Sequence, residues 1–282
     1  MNVGGTATLE PLGYNATPGG NIMSRKVALI TGASAGLGEQ FAHLFAKDGH
    51  DVILVARSAT RLEALAAKLE QAHGVKAHVF PADLGRPESP EQLFEAVRAK
   101  GLAVEFLVNN AGFGSCGPFL AQDLAREAEM VEVNCTALLK LSHLFARPMQ
   151  ERGSGRILNV ASTAAFQPGP FMATYFATKA FVVSLSEALA HELKGTGVTV
   201  TCHCPGATHT EFTQRAGNGQ TRLFQQPGVA KAEDVAAHAY AMMMRGRVLS
   251  IHGLLNWVGT LGVRFSPRVA VRALAASLNQ QG

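Results

Sequence analysis

Charge, aromatic rings and long apolar runs are all scarce in this chain, and each scarcity removes a class of protein. Charged residues make up 16% of its 282 residues and aromatic residues 7%, with a single tryptophan, whereas hydrophobic residues reach 47%. That balance is too apolar for a disordered chain and suits one domain with a large buried core. No stretch reaches the roughly 18 consecutive apolar residues that a membrane-crossing helix needs. The four cysteines, Cys116, Cys135, Cys202 and Cys204, supply no pair of Cys-x2-Cys units, so a reduced, cytoplasmic setting is expected. Cys202-His203-Cys204 alternates within a strand-like run, which sends the cysteines to one face and the histidine to the other; no metal is expected. The first 22 residues have no lysine or arginine, but five glycines and two prolines. They lack the apolar run of a signal peptide, so residues 1–23 are expected to be a disordered leader, with Met23 as the biological start. Acid is missing at the other end. From Val235 to Gly282 there is no aspartate or glutamate, but there are five arginines, Arg245, Arg247, Arg264, Arg268 and Arg272. That tail exceeds the whole chain's net charge of +4, so the basic character is local and no nucleic-acid partner is expected.

What the chain has is alternation. Short apolar runs at residues 27–30, 52–55, 77–80, 104–108, 157–160, 198–201 and 248–251 are separated by longer stretches of helical period, such as Arg61 to Leu69. The pattern predicts an α/β fold: a doubly wound parallel sheet of about seven strands, as a single domain over residues 24–253. Residues 254–282 are expected to form a basic, amphipathic, helical C-terminal extension.

Two stretches carry chemistry. Thr31-Gly32-Ala33-Ser34-Ala35-Gly36-Leu37-Gly38 follows the first strand and opens a helix. Glycines there let backbone approach a pyrophosphate, and the helix N-terminus offers free N–H groups, so Gly32, Ser34, Gly36, Leu37 and Gly38 are candidate cofactor contacts. At the end of the second strand stand Arg57 and Ser58, where an acid often holds a ribose hydroxyl. An arginine there suits a 2'-phosphate, so NADP(H) is expected rather than NAD. The other stretch runs from Ser162 to Lys179. Tyr175 and Lys179 are four apart on a predicted helix, so an ammonium stands near a phenol and is expected to lower its pKa, making a general acid/base. Ser162, folded back by Gln167-Pro168-Gly169-Pro170, is a candidate donor to a carbonyl oxygen.

These pieces, with others in order, are similar to the small single-domain form of the short-chain dehydrogenase/reductase family over about residues 25–255. The matching pieces are Thr31-Gly32-x3-Gly36-x-Gly38, Asp83-Leu84, Asn109-Asn110-Ala111-Gly112, Asn134, Ser162, Tyr175-x3-Lys179 and Pro205-Gly206-x3-Thr210. The resemblance implies a Rossmann fold in which Asp83 and Leu84 hold adenine, and Asn110, Ala111 and Gly112 line its ribose. It implies Tyr175 as proton donor, Lys179 on the nicotinamide ribose, Ser162 on the substrate oxygen and Asn134 anchoring a water. Pro205, Gly206, Thr208 and Thr210 would fix the nicotinamide. The three residues between Tyr175 and Lys179 differ from the six of the family's enoyl reductases, which argues against carbon–carbon double-bond reduction. A homodimer or homotetramer is also implied, paired through the helices carrying Asn134 and Tyr175.

For the substrate, Phe113, Phe119, Phe166, Phe171, Met172, Phe212 and Phe224 fall in the loops expected around the nicotinamide, which favours a small apolar ketone or aldehyde. Two alternatives stay open: a 3-oxoacyl group on an acidic carrier protein, and a non-catalytic NADP-binding sensor. Residues 211–226 are expected to form a mobile lid. For the tail, peripheral contact with anionic lipid and packing over the substrate mouth or a partner subunit both remain open.

Overall fold

The computed structural model describes residues 25–280 except 218, 220 and 223–228. The expected leader, Phe224 and part of the expected lid lie outside the described residues. The strands are β1 (Val27–Thr31), β2 (Asp51–Ala56), β3 (Ala77–Pro81), β4 (Val104–Asn109), β5 (Gly155–Val160), β6 (Val198–Cys204), β7 (Thr208–His209), β8 (Ala230–Lys231) and β9 (Leu249–Ile251). β7 and β8 pair with each other, and the other seven, which are the seven expected apolar runs, form one parallel sheet in the order β3-β2-β1-β4-β5-β6-β9.

The helices follow the strands in alternation: α1 (Gly36–Lys47), α2 (Ala59–His73), α3 (Ser89–Ala99), α4 (Leu124–Val131), α5 (Leu138–Arg152), α6 (Ala173–Glu192), α7 (Glu211–Ala216) and α8 (Ala232–Met244). Two more, α9 (Leu254–Phe265) and α10 (Arg268–Asn279), make the C-terminal extension. A π-helical stretch, Glu132–Ala137, joins α4 to α5.

Both faces of the sheet are covered, which is why its strands are apolar almost throughout. In β1, Ala28 and Ile30 pack with Phe41 and Phe45 of α1 and Met243 of α8. Val27 and Leu29 pack on the other face with Leu141, Phe145 and Met149 of α5. Fully burying one such Leu or Phe is worth about 1.5–3 kcal/mol, so these two layers hold the sheet. A polar thread runs through the core as well. Asn109 Nδ2 donates to Ser142 Oγ at 3.0 Å and to Asn159 Oδ1 at 2.9 Å, and Asn159 Nδ2 donates to Ser186 Oγ at 2.9 Å. It ties the ends of β4 and β5 to α5 and α6. Strand order reverses between β1 and β4, and the crevice beyond the carboxyl ends of strands at such a point is where α/β sheets bind ligands.

Candidate active site

A cleft of about 1220 Å³ opens at that crevice. It is larger than the usual 300–1,000 Å³ of a small-ligand pocket and suits a dinucleotide with a second molecule beside it. Its floor at one end is the turn from β1 into α1. Gly32 and Gly36 have φ of +67° and +60°, a conformation that side-chain-bearing residues rarely adopt. A Cβ on Gly38 would meet Gly32 O at 2.1 Å, so the turn closes only with glycine there. The N-cap residue of α1, Ala35, makes no side-chain cap, which leaves the first-turn N–H groups open to an anion. Asn110 braces the turn from β4: its Nδ2 donates to Thr31 O at 2.9 Å, while the Thr31 hydroxyl accepts from Asn110 N and Ala111 N at 3.0 Å.

Gly32, Ser34, Gly36, Leu37, Arg57, Ser58, Asp83, Leu84, Asn110, Ala111 and Gly112 all line the cleft. Gly38 does not; it shapes the turn from behind. Arg57 is two-thirds exposed and lies 3.8 Å from the Glu129 carboxylate. Ser58 also caps α2, accepting from Arg61 N at 3.4 Å. Asp83 is held by its own loop, with Oδ1 accepting from Gly85 N at 3.2 Å. These residues fit a nicotinamide dinucleotide: an uncapped helix start with a glycine cradle for the pyrophosphate, and a polar rim around it.

At the inner end of the cleft, Tyr175 and Lys179 are buried on α6, and Ser162 stands at the end of β5. Lys179 Nζ donates to Val160 O at 2.8 Å and sits 5.8 Å from the centre of the Tyr175 ring. Burial pushes the Tyr175 phenol up to about 12, against a hydrogen bond with Ser162 that favours the phenolate. Burial brings the Lys179 ammonium down to about 8. The expected lowering of the phenol is therefore reversed: burial of the phenol dominates, and the Lys179 ammonium, itself desolvated and engaged by Val160 O, does not offset it. Ser162 Oγ accepts from Ala164 N at 3.1 Å, and its own proton points at Pro205 O across 3.5 Å. That last contact is long for a hydroxyl donor, and the same hydroxyl also bonds the Tyr175 phenol oxygen, so the Ser162 proton faces the point where Tyr175 and a ligand oxygen would meet.

Asn134 lies in the π-helical stretch, a geometry common at functional sites. Its Nδ2 donates to Phe113 O at 2.9 Å and Thr178 Oγ1 at 3.0 Å, and its Oδ1 accepts from Phe113 N at 3.1 Å. A Cβ on Gly112 would come within 2.9 Å of Asn134 Oδ1 and 3.6 Å of Lys179 Nζ, so the missing side chain opens the space between them. Pro205, Gly206, Thr208 and Thr210 line the cleft opposite, with the Thr208 hydroxyl donating to Gly206 O at 3.0 Å.

Of the apolar loop residues expected around the nicotinamide, Phe113, Met172 and Phe212 line the cleft. Phe119 is exposed, Phe166 packs beside Val182, and Phe171, with φ of +65°, gives its carbonyl to Gly117 N at 2.8 Å. Sequence reasoning missed Phe176, one residue past Tyr175; of the two readings left open for the extension, packing over the substrate mouth is seen, through Leu254, Leu255, Ala275, Leu278 and Asn279, none of them among the expected site residues. Asn279 is tied there by Nδ2 to Pro170 O at 2.9 Å and by the Cys116 thiol, which donates to Asn279 O at 3.6 Å. No local signal marks Asn279, since both its partners lie more than a hundred positions away. Cys202 and Cys204 face the core beside Val182, while His203 turns away toward Ser250 Oγ at 3.1 Å, as their alternation requires.

Known proteins match this arrangement. The short chain dehydrogenase family model matches residues 26–221. Nodulation protein G from Rhizobium sp. (strain N33) is 31% identical over 84% of this chain and 99% of its own length. A very-long-chain 3-oxoacyl-CoA reductase from Neurospora crassa is 38% identical over 61% of the chain, which spans only 53% of that protein. Among solved structures, a short-chain dehydrogenase from Sphingobium yanoikuyae in complex with NADPH superposes with a TM-score of 0.76 at 35% identity, over 85% of this chain and 93% of that one. The bulky-bulky ketone specific alcohol dehydrogenase from Comamonas testosteroni gives 0.72 at 31% identity, over 85% and 92%. With the glycine turn, the seven-stranded parallel sheet and the Ser162, Tyr175 and Lys179 cluster all in place, the chain belongs to the short-chain dehydrogenase/reductase family, oxidoreductases of CH–OH and carbonyl groups.

Proposed function

We propose that this protein is an NADP(H)-dependent reductase of apolar ketones or aldehydes, running equally as a dehydrogenase of the corresponding secondary alcohols. The observation that carries the reading is the convergence of a buried phenol, a redirectable hydroxyl and a buried amine at the apolar inner end of a dinucleotide-sized cleft. When bound, the nicotinamide supplies or accepts the hydride. Ser162 holds the carbonyl oxygen, and Tyr175 gives it a proton as the oxygen becomes alkoxide-like. A phenol near 12 is acidic enough for this step. An alkoxide resembles hydroxide, the base of water with a pKa of about 15.7, so the transfer runs downhill. Lys179, buried 5.8 Å from the centre of the Tyr175 ring, then faces a tyrosinate, and Asn134 beside it supports the route by which the phenol regains its proton.

Arg57 supports NADP(H): it is an exposed cation just past the end of β2, with no carboxylate on that strand end to favour a free ribose hydroxyl. The NADPH in the Sphingobium yanoikuyae structure and in L-sorbose reductase from Gluconobacter frateurii, 28% identical, points the same way. A Burkholderia phymatum relative, 26% identical, was solved with NAD. Phe113, Met172, Phe176 and Phe212 give the substrate end its apolar character. A second reading, reduction of a 3-oxoacyl thioester, is favoured by the basic extension at the mouth and by the Neurospora crassa relative's name. A pure cofactor sensor has no use for the buried Tyr175. Assembly as a homodimer or homotetramer through α5 and α6 is supported by Leu139 and Phe181, which those helices leave 43% and 37% exposed. Turnover of NADPH and NADH across a panel of apolar ketones, aldehydes, 3-oxoacyl-CoA and 3-oxoacyl carrier-protein substrates tests the reading. NADPH-linked turnover of free apolar carbonyls is expected; turnover of thioesters alone would select the second reading, and NADH preference would remove the role given to Arg57.

A further inference from the structure

The extension has two sides. Its inner side completes the cleft wall, with Ala275 and Asn279 buried. Its outer side is unusually apolar. Eight of the fifteen exposed large apolar side chains among the described residues lie in α9 and α10. On α9 they include Leu255 at 88%, Phe265 at 83% and Trp257 at 51% exposure, with Leu254, Val258 and Leu261 beside them; Val269 and Leu274 are exposed on α10. A contiguous apolar surface of this kind marks an interaction site, since a folded monomer seldom leaves one to water.

Charge identifies the partner. Arg264, Arg268 and Arg272 are exposed at the junction and on α10, and none has an ion-pair partner among the described residues. No acid follows Asp234 in the chain. Leucine, tryptophan and phenylalanine on one side of a helix with arginines flanking them are the composition of a segment that lies in the interface of a bilayer bearing anionic headgroups. No helix among the described residues is long and apolar enough to cross a membrane, so the contact is one of lying on the surface. The apolar surface is also continuous with the cleft: Leu254 and Leu255 both line it while remaining 76% and 88% exposed.

We infer that α9 and α10 dock this enzyme on an anionic phospholipid surface, with the mouth of the substrate cleft opening against it. An apolar substrate concentrates in that same layer, so the cleft draws from the bilayer rather than from water. The substrate link rests on the proposed function; the docking does not, and the two fail separately.

Trp257 is the chain's one tryptophan and sits on the docking face, so the full-length protein reports on itself. Vesicles of phosphatidylcholine with phosphatidylglycerol are expected to shift Trp257 emission to the blue and to expose it to quenching by brominated acyl chains. Arg264→Gln with Arg268→Gln and Arg272→Gln should weaken partition on the order of a hundredfold, from roughly 1 kcal/mol per cation near the surface. Phe265→Ser should weaken it too. Both variants change exposed positions, and unchanged circular dichroism and melting would exclude misfolding. No emission change with anionic vesicles overturns the inference, as does equal partition onto pure phosphatidylcholine. Sedimentation showing a lipid-free dimer that Phe265→Ser dissociates would also overturn it, because a second copy would then cover the face.

Discussion

The two ends of the cleft are built on different principles. The cofactor end is backbone: glycines at positive φ, an uncapped helix start, and an asparagine donating to turn carbonyls, all within a few residues of the strands that present them. The substrate end is side chains brought from afar, with Asn279 tied to Pro170 across 109 positions and to Cys116 across 163. A backbone cradle tolerates almost no change and is the same whatever the substrate. A wall of side chains from a C-terminal extension can be rewritten without disturbing the sheet. The difference teaches that the chemistry and the choice of substrate are separable in this molecule, and Tyr175 and Ser162 sit at the seam.

Breaking the seam has the largest effect. Tyr175→Phe keeps the ring and its packing but removes the proton, so turnover should fall by about 10²- to 10⁴-fold with cofactor affinity unchanged, read by steady-state rates beside a binding titration. Equal loss of affinity would mean that the phenol holds the cofactor rather than the proton.

Gly38→Ala attacks the cofactor end alone. Its methyl group meets Gly32 O, and an overpacking cost of about 1–3 kcal/mol corresponds to roughly five- to 150-fold weaker cofactor binding. A variant that binds the cofactor normally would show that the turn is softer than its geometry says.

Asn279→Ala attacks the substrate end alone. Loss of its bond to Pro170 should raise KM about three- to tenfold, in line with about 1 kcal/mol for one such bond, while cofactor affinity stays as it was. An unchanged KM for every substrate would remove the extension from the site.

One effect, on stability, has the opposite sign. The folded pKa of Lys179 is depressed from 10.5 to about 8, so the native state holds fewer protons than the unfolded chain between those values. Stability therefore rises as pH climbs from about 8 toward 10.5, and the full cost of the buried ammonium is present below about 8. Lys179→Met should be inactive yet more stable than the parent at pH 7 by on the order of 1–3 kcal/mol, with the gain shrinking above pH 8. Denaturant unfolding at several pH values checks this; a less stable variant at pH 7 would mean that the bond to Val160 O outweighs the burial.

How much of this was legible in the sequence follows the same division. All seven strands of the main sheet could be read, because strands buried on both faces are apolar almost throughout and the turns between them carry their own residues. The glycine turn and the spacing of Tyr175 and Lys179 were legible because they depend on neighbours four residues away or fewer. The direction of the Tyr175 shift was not: it depends on how completely the phenol is desolvated, which only the packed structure fixes. Phe119, Phe166 and Phe171 misled for a related reason, since aromatic composition says nothing of which way a loop turns its rings. Asn279 and Leu278 carry no motif at all and matter only because α10 folds back over the loop at Pro170.

The most direct measurement follows one hydrogen. With an apolar ketone, NADPH deuterated at the transferable position of its nicotinamide ring, and wild-type enzyme, mass spectrometry of the product alcohol should find one deuterium, bound to the former carbonyl carbon, while the hydroxyl proton comes from solvent. An alcohol without deuterium, or NADPH held firmly with no labelled alcohol from any carbonyl offered, would contradict the account.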